Sequence, residues 1–243
     1  MLRRLAAVAL LLAACTPPQP APTARPTTPP PTVVSSPSPT ATASAAASPS
    51  ATPLASATAI ATEDRADIDG DGKRDKVTLI TAWTEAVPRA TDSSIRVDLA
   101  AGKTLDYTLH DTFDPAIALI ADADGDHRDE IFVRVSLGAS TEFWVIVALV
   151  GEQLGTVRAS GASADLMLAV GGSVTHGDGF ECRTSPNGDH ELVIRSFEQT
   201  NLTDTVYAWQ GKTLVRTGST VTQFREDMRN DPSFEAYYSA RCG

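Results

Sequence analysis

The chain has 243 residues, 20 basic and 30 acidic, for a formal charge of −10. Every acid lies beyond residue 61, so residues 62–243 hold 17 basic against 30 acidic side chains. Such a balance disfavours nucleic acid, whose affinity rests on cationic contacts to phosphate, and suits cation binding.

Residues 1–14 read as an export signal. Arg3 and Arg4 give a charged start, and Leu5 to Ala14 form an apolar core of ten residues. That is half of the roughly 20 needed to span a bilayer as a helix. The core ends in Leu12-Ala-Ala-Cys15, which resembles the bacterial lipobox. The resemblance implies cleavage before Cys15, lipidation of its sulfur, and anchoring at the extracytoplasmic face of the cell membrane. Several acyl chains, at about 0.8 kcal/mol per buried CH₂, make such an anchor lasting.

The segment from the lipidated Cys15 to residue 61 is almost entirely Pro, Thr, Ser and Ala, and residues 16–61 hold twelve of the sixteen prolines. With so little to bury it is expected to be a disordered linker, at most about 140 Å long at about 3.1 Å per residue. Residues 62–243 are expected to form one domain.

Within this domain the apolar residues alternate or run briefly, as in Ile95-Arg-Val-Asp-Leu99, Ile131-Phe-Val-Arg-Val135, Leu192 to Phe197 and Val206-Tyr-Ala-Trp209. These segments are predicted strands. Phe143 to Val150 is eight apolar residues without interruption, the pattern of a strand covered on both faces. The only helical candidate is the tail near 223–238, where Phe224 and Met228 are four apart and Pro232 keeps any helix short. The expected fold class is therefore all-β.

Two acidic stretches carry the chemistry, Asp67-Ile-Asp-Gly-Asp-Gly-Lys-Arg-Asp75 and Asp122-Ala-Asp-Gly-Asp-His-Arg-Asp-Glu130. Each sets carboxylates at positions 1, 3, 5 and 9, a spacing that wraps oxygens around one hard cation, most plausibly Ca²⁺. The first offers Asp67, Asp69, Asp71 and Asp75 through side chains and Lys73 through its carbonyl. Gly72 supplies the left-handed turn at position 6. The second offers Asp122, Asp124, Asp126 and Glu130 with the carbonyl of Arg128, and His127 stands where glycine is expected. Neither has the bidentate Glu at position 12, where Thr78 and Val133 sit, and each leads into a β-branched run. That excludes an EF-hand and points to modest affinity, roughly 10⁻⁴–10⁻³ M.

An internal repeat accompanies the loops. Gly102-Lys-Thr-Leu-Asp-Tyr-Thr108 and Gly211-Lys-Thr-Leu-Val-Arg-Thr217 share five of seven residues 109 positions apart, with Gly151-Glu-Gln-Leu between them as a weaker copy. Each glycine is placed as in a hairpin turn. The acidic loops lie 55 residues apart, and Asn187-Gly-Asp-His190 is a decayed third loop retaining only Asp189 and Glu191 nearby. The domain thus parses into about three units of loop, strands, hairpin and closing strand.

The motif Asp-x-Asp-Gly-Asp-Gly-x-x-Asp before a strand resembles the FG-GAP/VCBS repeats of integrin-type β-propellers. The resemblance implies a calcium ion clamped in the loop between neighbouring strands. Three units are too few for a ring of four to eight blades, so an antiparallel meander of blade-like repeats, not a closed propeller, is expected.

Cys182 and Cys242 remain once Cys15 carries lipid, and in an oxidising compartment they are expected to pair. The four histidines sit in polar turns outside any zinc-protease motif, and no nucleophile elbow occurs. The function expected is a non-enzymatic binding module at the cell envelope, with structural calcium and an envelope protein or glycan as its partner. The alternative is an envelope hydrolase, or an accessory subunit of one, using carboxylates from among the thirty acids.

Overall fold

The computed structural model describes residues 58–86 and 88–242. The segments expected to be a signal peptide and a linker, with Cys15, lie outside the described residues as far as residue 57.

Three antiparallel meanders follow one another along the chain, which bears out the all-β reading. The first comprises β1 (Thr58–Ala66), β2 (Asp75–Thr81), β3 (Thr91–Asp98) and β4 (Thr104–Thr112). The second comprises β5 (Ala116–Ala121), β6 (Glu130–Leu137), β7 (Thr141–Val150) and β8 (Gln153–Thr156). After the two-residue β9 (Arg158–Ala159) and β10 (Leu168–Ser173), the third runs through β11 (His176–Thr184), β12 (His190–Glu198), β13 (Asn201–Gln210) and β14 (Thr213–Gln223). In each, the acidic stretch or its decayed copy joins the first strand to the second, and the glycine hairpin joins the third to the fourth. Gly102, Gly151 and Gly211 all take positive φ at those hairpins. β1 begins at Thr58, inside the segment 15–61 expected as linker.

The first meander is a separate four-stranded sheet in the order β1-β2-β3-β4. The second and third fuse. β10 pairs with the first half of β7, Thr141–Trp144, while β8 pairs with its second half, Val147–Val150. β10 then pairs β11, giving the path β5-β6-β7-β10-β11-β12-β13-β14-β9 with no closure into a barrel. Gly171 and Gly172 make the turn from β10 possible. A Cβ on Gly172 would lie 2.2 Å from the His176 carbonyl oxygen, and one on Gly171 would lie 2.5 Å from that of Ser140.

The second meander is the middle layer, as the unbroken run 143–150 predicts. Successive side chains on a strand point to opposite faces. Ile131, Val133, Val145 and Val147 pack with Ile68, Val77, Leu79, Ile95 and Val97 of the first meander. Phe132, Trp144, Ile146 and Ala148 pack with Phe180, Leu192 and Leu214 of the third. Phe180 stacks on Phe132 with ring centroids 5.5 Å apart and meets Trp144 edge-on at 5.6 Å.

The tail forms two 3-10 helices, Glu226–Asn230 and Pro232–Tyr237, in place of an α-helix. Pro232 begins the second, where its missing N–H costs nothing. Phe224, Met228, Phe234, Tyr237 and Tyr238 close over Phe197 and Leu202 as a third core. The short β15 (Ala240–Arg241) then runs parallel to β11, which brings Cys242 beside Cys182 with Cα atoms 4.6 Å apart, and the expected disulfide is present.

Because the middle layer feeds two cores, Ile131→Ala and Ile146→Ala should each lower unfolding free energy by about 2–5 kcal/mol in urea titrations. A loss below about 1 kcal/mol for either would mean that its face is not packed as described.

Candidate functional site: two acidic loops and a buried lysine

The two acidic loops share most of their internal hydrogen bonds, the first adding one from Asp71 N–H to Asp67. The position-1 carboxylate folds each loop. Asp67 accepts from the backbone N–H of Gly70 at 2.9 Å and Gly72 at 2.9 Å, and Asp122 accepts from Gly125 at 2.7 Å and His127 at 3.1 Å. Position 3 accepts from the N–H of position 5, and position 5 from that of position 7, in both loops. These turns require left-handed backbone, supplied by Gly70 and Gly72 in the first loop and by Gly125 and His127 in the second, where His127 has φ 67°. Histidine therefore does take the conformation that its position demands.

Spacing and structure part at position 9 in the first loop and at position 5 in the second. Both carboxylate oxygens of the buried Asp75 are engaged by backbone: Ile68 N–H donates to one at 2.8 Å and Ala100 N–H to the other at 2.8 Å. Asp75 thus ties its loop to the strand end before the Gly102 hairpin. Glu130, also fully buried, accepts from Ala123 N–H at 2.8 Å, the counterpart of the Ile68 bond. In the first loop the carboxylates of Asp67, Asp69 and Asp71 converge within 4.8 Å, without Asp75. In the second the converging set is Asp122, Asp124 and Glu130.

The residue that sequence reasoning missed is Lys212. It sits at the tip of the β13–β14 hairpin, and its ammonium enters the second loop. It donates to Glu130 Oε1 at 2.6 Å and Asp124 Oδ2 at 2.7 Å, and lies 3.0 Å from Asp126 Oδ2. Its side chain is only 10% exposed. Burial works against the ammonium, but the bonds to Asp124 and Glu130 outweigh it and hold the Lys212 pKa above the usual lysine range. Burial pushes Glu130 up to about 7 against the pull of Lys212. It raises Asp124 as well, whereas at Asp126 the Lys212 contact and the Arg128 N–H prevail over burial and lower the pKa. In the first loop the nearest ammonium is Lys73, which binds Asp71 Oδ2 at 2.9 Å on the exposed rim. The fit to a divalent cation therefore differs. The three converging carboxylates of the first loop meet only the exposed Lys73 ammonium, at Asp71, while in the second a buried ammonium already stands between Asp124 and Glu130.

The loops of successive units also brace one another. Asp67 N–H donates to Asp129 Oδ2 at 2.8 Å, and Asp129 N–H donates to the Asp67 carbonyl at 2.8 Å. The Arg128 side chain lies over Gly70, where an added Cβ would be 3.0 Å from its Cγ. His190 of the third unit lies over Gly125, where a Cβ would fall 2.2 Å from its Nε2. The decayed third loop is a tight turn in which Ser185 N–H donates to the Asp189 carbonyl at 2.7 Å, and Glu191 pairs with Arg183.

No family model matches the chain, and no curated protein matches it. Among solved structures, the exotype rhamnogalacturonan lyase YesX aligns with a TM-score of 0.35 at 13% identity. The alignment covers 72% of this chain and 34% of that one. A likeness this weak carries no argument about fold or activity.

Asp75→Ala would strand the buried Ile68 N–H, at about 1–3 kcal/mol, and remove the part-buried bond from Ala100 N–H. We expect a calcium-independent loss of about 2–5 kcal/mol by chemical denaturation. A loss that appeared only in the presence of calcium would instead make Asp75 chiefly a ligand.

Proposed function

We propose that this chain is a bacterial envelope lipoprotein, anchored through Cys15, whose β domain is stabilised by calcium and acts as a non-enzymatic binding module. The observation that carries the calcium reading is the convergence of Asp67, Asp69 and Asp71 within 4.8 Å, in a loop that no buried amine enters. Crowded carboxylates repel, and a divalent ion is the remedy that this spacing suits. The ion would be structural, fixing the entry to β2 and the contact with the neighbouring loop at Asp129. The loop's place between first and second strands of a meander supports a relationship to FG-GAP/VCBS-like repeats.

The lipobox-like Leu12-Ala-Ala-Cys15 and the Pro/Thr/Ser/Ala composition of residues 16–57 support a tether that carries the domain away from a membrane surface. The meander topology gathers the three acidic turns and three glycine hairpins at one end of the domain. That end is the surface we assign to an envelope protein or glycan partner.

Calcium at tenfold its dissociation constant should add about 1.4 kcal/mol, raising the melting temperature by about 3–6 °C. Asp69→Asn/Asp71→Asn keeps the backbone-accepting oxygens and should abolish the shift; an unchanged wild-type melt with and without chelator would refute the calcium reading. Separately, Cys15→Ser should move the protein from the detergent phase to the aqueous phase on phase partitioning and abolish palmitate incorporation. Retained lipid labelling would place the anchor elsewhere.

A further inference from the structure

We infer that the second acidic loop carries its own counter-ion: the Lys212 ammonium, delivered by the hairpin of the following meander, occupies the seat that a divalent cation takes in the first loop. The inference rests on the calcium reading of these loops and decides which of the two takes an ion.

Three observations lead to it. The two loops share the hydrogen bonds from positions 4, 5, 6 and 7 to the carboxylates of positions 1, 3 and 5, so their preference for a cation has the same origin. Lys212 is nine-tenths buried, and its Nζ touches Asp124, Asp126 and Glu130, three of the four residues that the spacing nominates as side-chain ligands. It comes from 82 and 88 residues downstream of Glu130 and Asp124, so the contact ties the third meander to the second. The third observation is the position equivalent to Lys212 in the second meander. There the hairpin glycine, Gly151, is followed by Glu152, not lysine. An acid cannot neutralise the loop of the preceding unit, and Glu152 instead pairs with Lys103 at the first hairpin, 3.7 Å away. The first loop thus has no lysine from its successor, while the second has one.

An ammonium and a divalent cation cannot share that space. Both need the same carboxylate oxygens, and each repels the other at such distances. The native chain should therefore bind calcium at the first loop only, and the second should be a latent divalent-cation site closed by Lys212.

The test uses calcium chloride and isothermal titration calorimetry on the full chain. Wild type should take one ion, and Asp69→Asn/Asp71→Asn none. Adding Lys212→Met to that double variant should restore one ion per chain, now at the second loop, and calcium should recover the melting temperature that Lys212→Met lowers. Calcium binding by the double variant with Lys212 intact, abolished by Asp124→Asn, would overturn the inference. So would a triple variant that keeps native circular dichroism yet binds no calcium. A wild type that takes no ion while the triple variant takes one would defeat the calcium reading of the first loop and leave this inference standing.

Amine acylation mapped by mass spectrometry needs no variant. In wild type Lys212 should react far more slowly than Lys73, with or without calcium. Calcium that makes Lys212 react as fast as Lys73 would show the ion displacing it and contradict the inference.

Discussion

Lys212 meeting Asp124, Asp126 and Glu130 is the interaction on which the acidic end of this domain depends. Glu130 is fully buried and Asp124 nearly so, and carboxylates taken from water need a positive partner or a proton. The ammonium is that partner. It also reinforces the join of the third meander to the second beside the short β9–β14 pairing, where Thr213 and Leu214 meet Arg158 and Ala159. A single side chain thus answers an electrostatic demand and fixes a long-range contact.

The layered scaffold creates the demand. The middle meander is buried on both faces, so its first turn, the second acidic loop, is flanked by the first loop through Asp67 and Asp129 and by the third unit through His190. A loop so flanked holds Asp124 and Glu130 away from solvent, while Asp126 stays partly exposed. The first loop belongs to an outer layer, receives no lysine from a neighbouring unit, and commits Asp75 to backbone N–H groups of its own unit. Equal sequence spacing therefore gives unequal sites, because burial and neighbours differ while local turn chemistry does not.

Much of this architecture was legible in the sequence. The unbroken run Phe143–Val150 marked the strand covered on both faces, because a two-faced strand has no polar alternation to show. The hairpin glycines and the 55-residue spacing of the acidic loops marked the units. The loops' internal turns followed from Asp, Gly and the left-handed position 6. What stayed hidden were the terms set by tertiary contact. Spacing alone could not reveal that Asp75 faces Ala100. Nor could it show that β10 would splice two meanders into one sheet. Gly211-Lys212 was visible as a hairpin copy, yet its role in neutralising a loop more than eighty residues away was not. The one available signal was the exchange of Lys for Glu at position 152 among three otherwise similar hairpins.

The proposed division, one loop neutralised from within and the other by a divalent ion, is open to direct observation. Anomalous diffraction from crystals grown with calcium, or with a lanthanide in its place, tests this most directly. One peak is expected, among Asp67, Asp69 and Asp71, with the Lys212 ammonium still seated against Asp124 and Glu130. A peak inside the second loop with Lys212 turned outward, or none at the first, would contradict it.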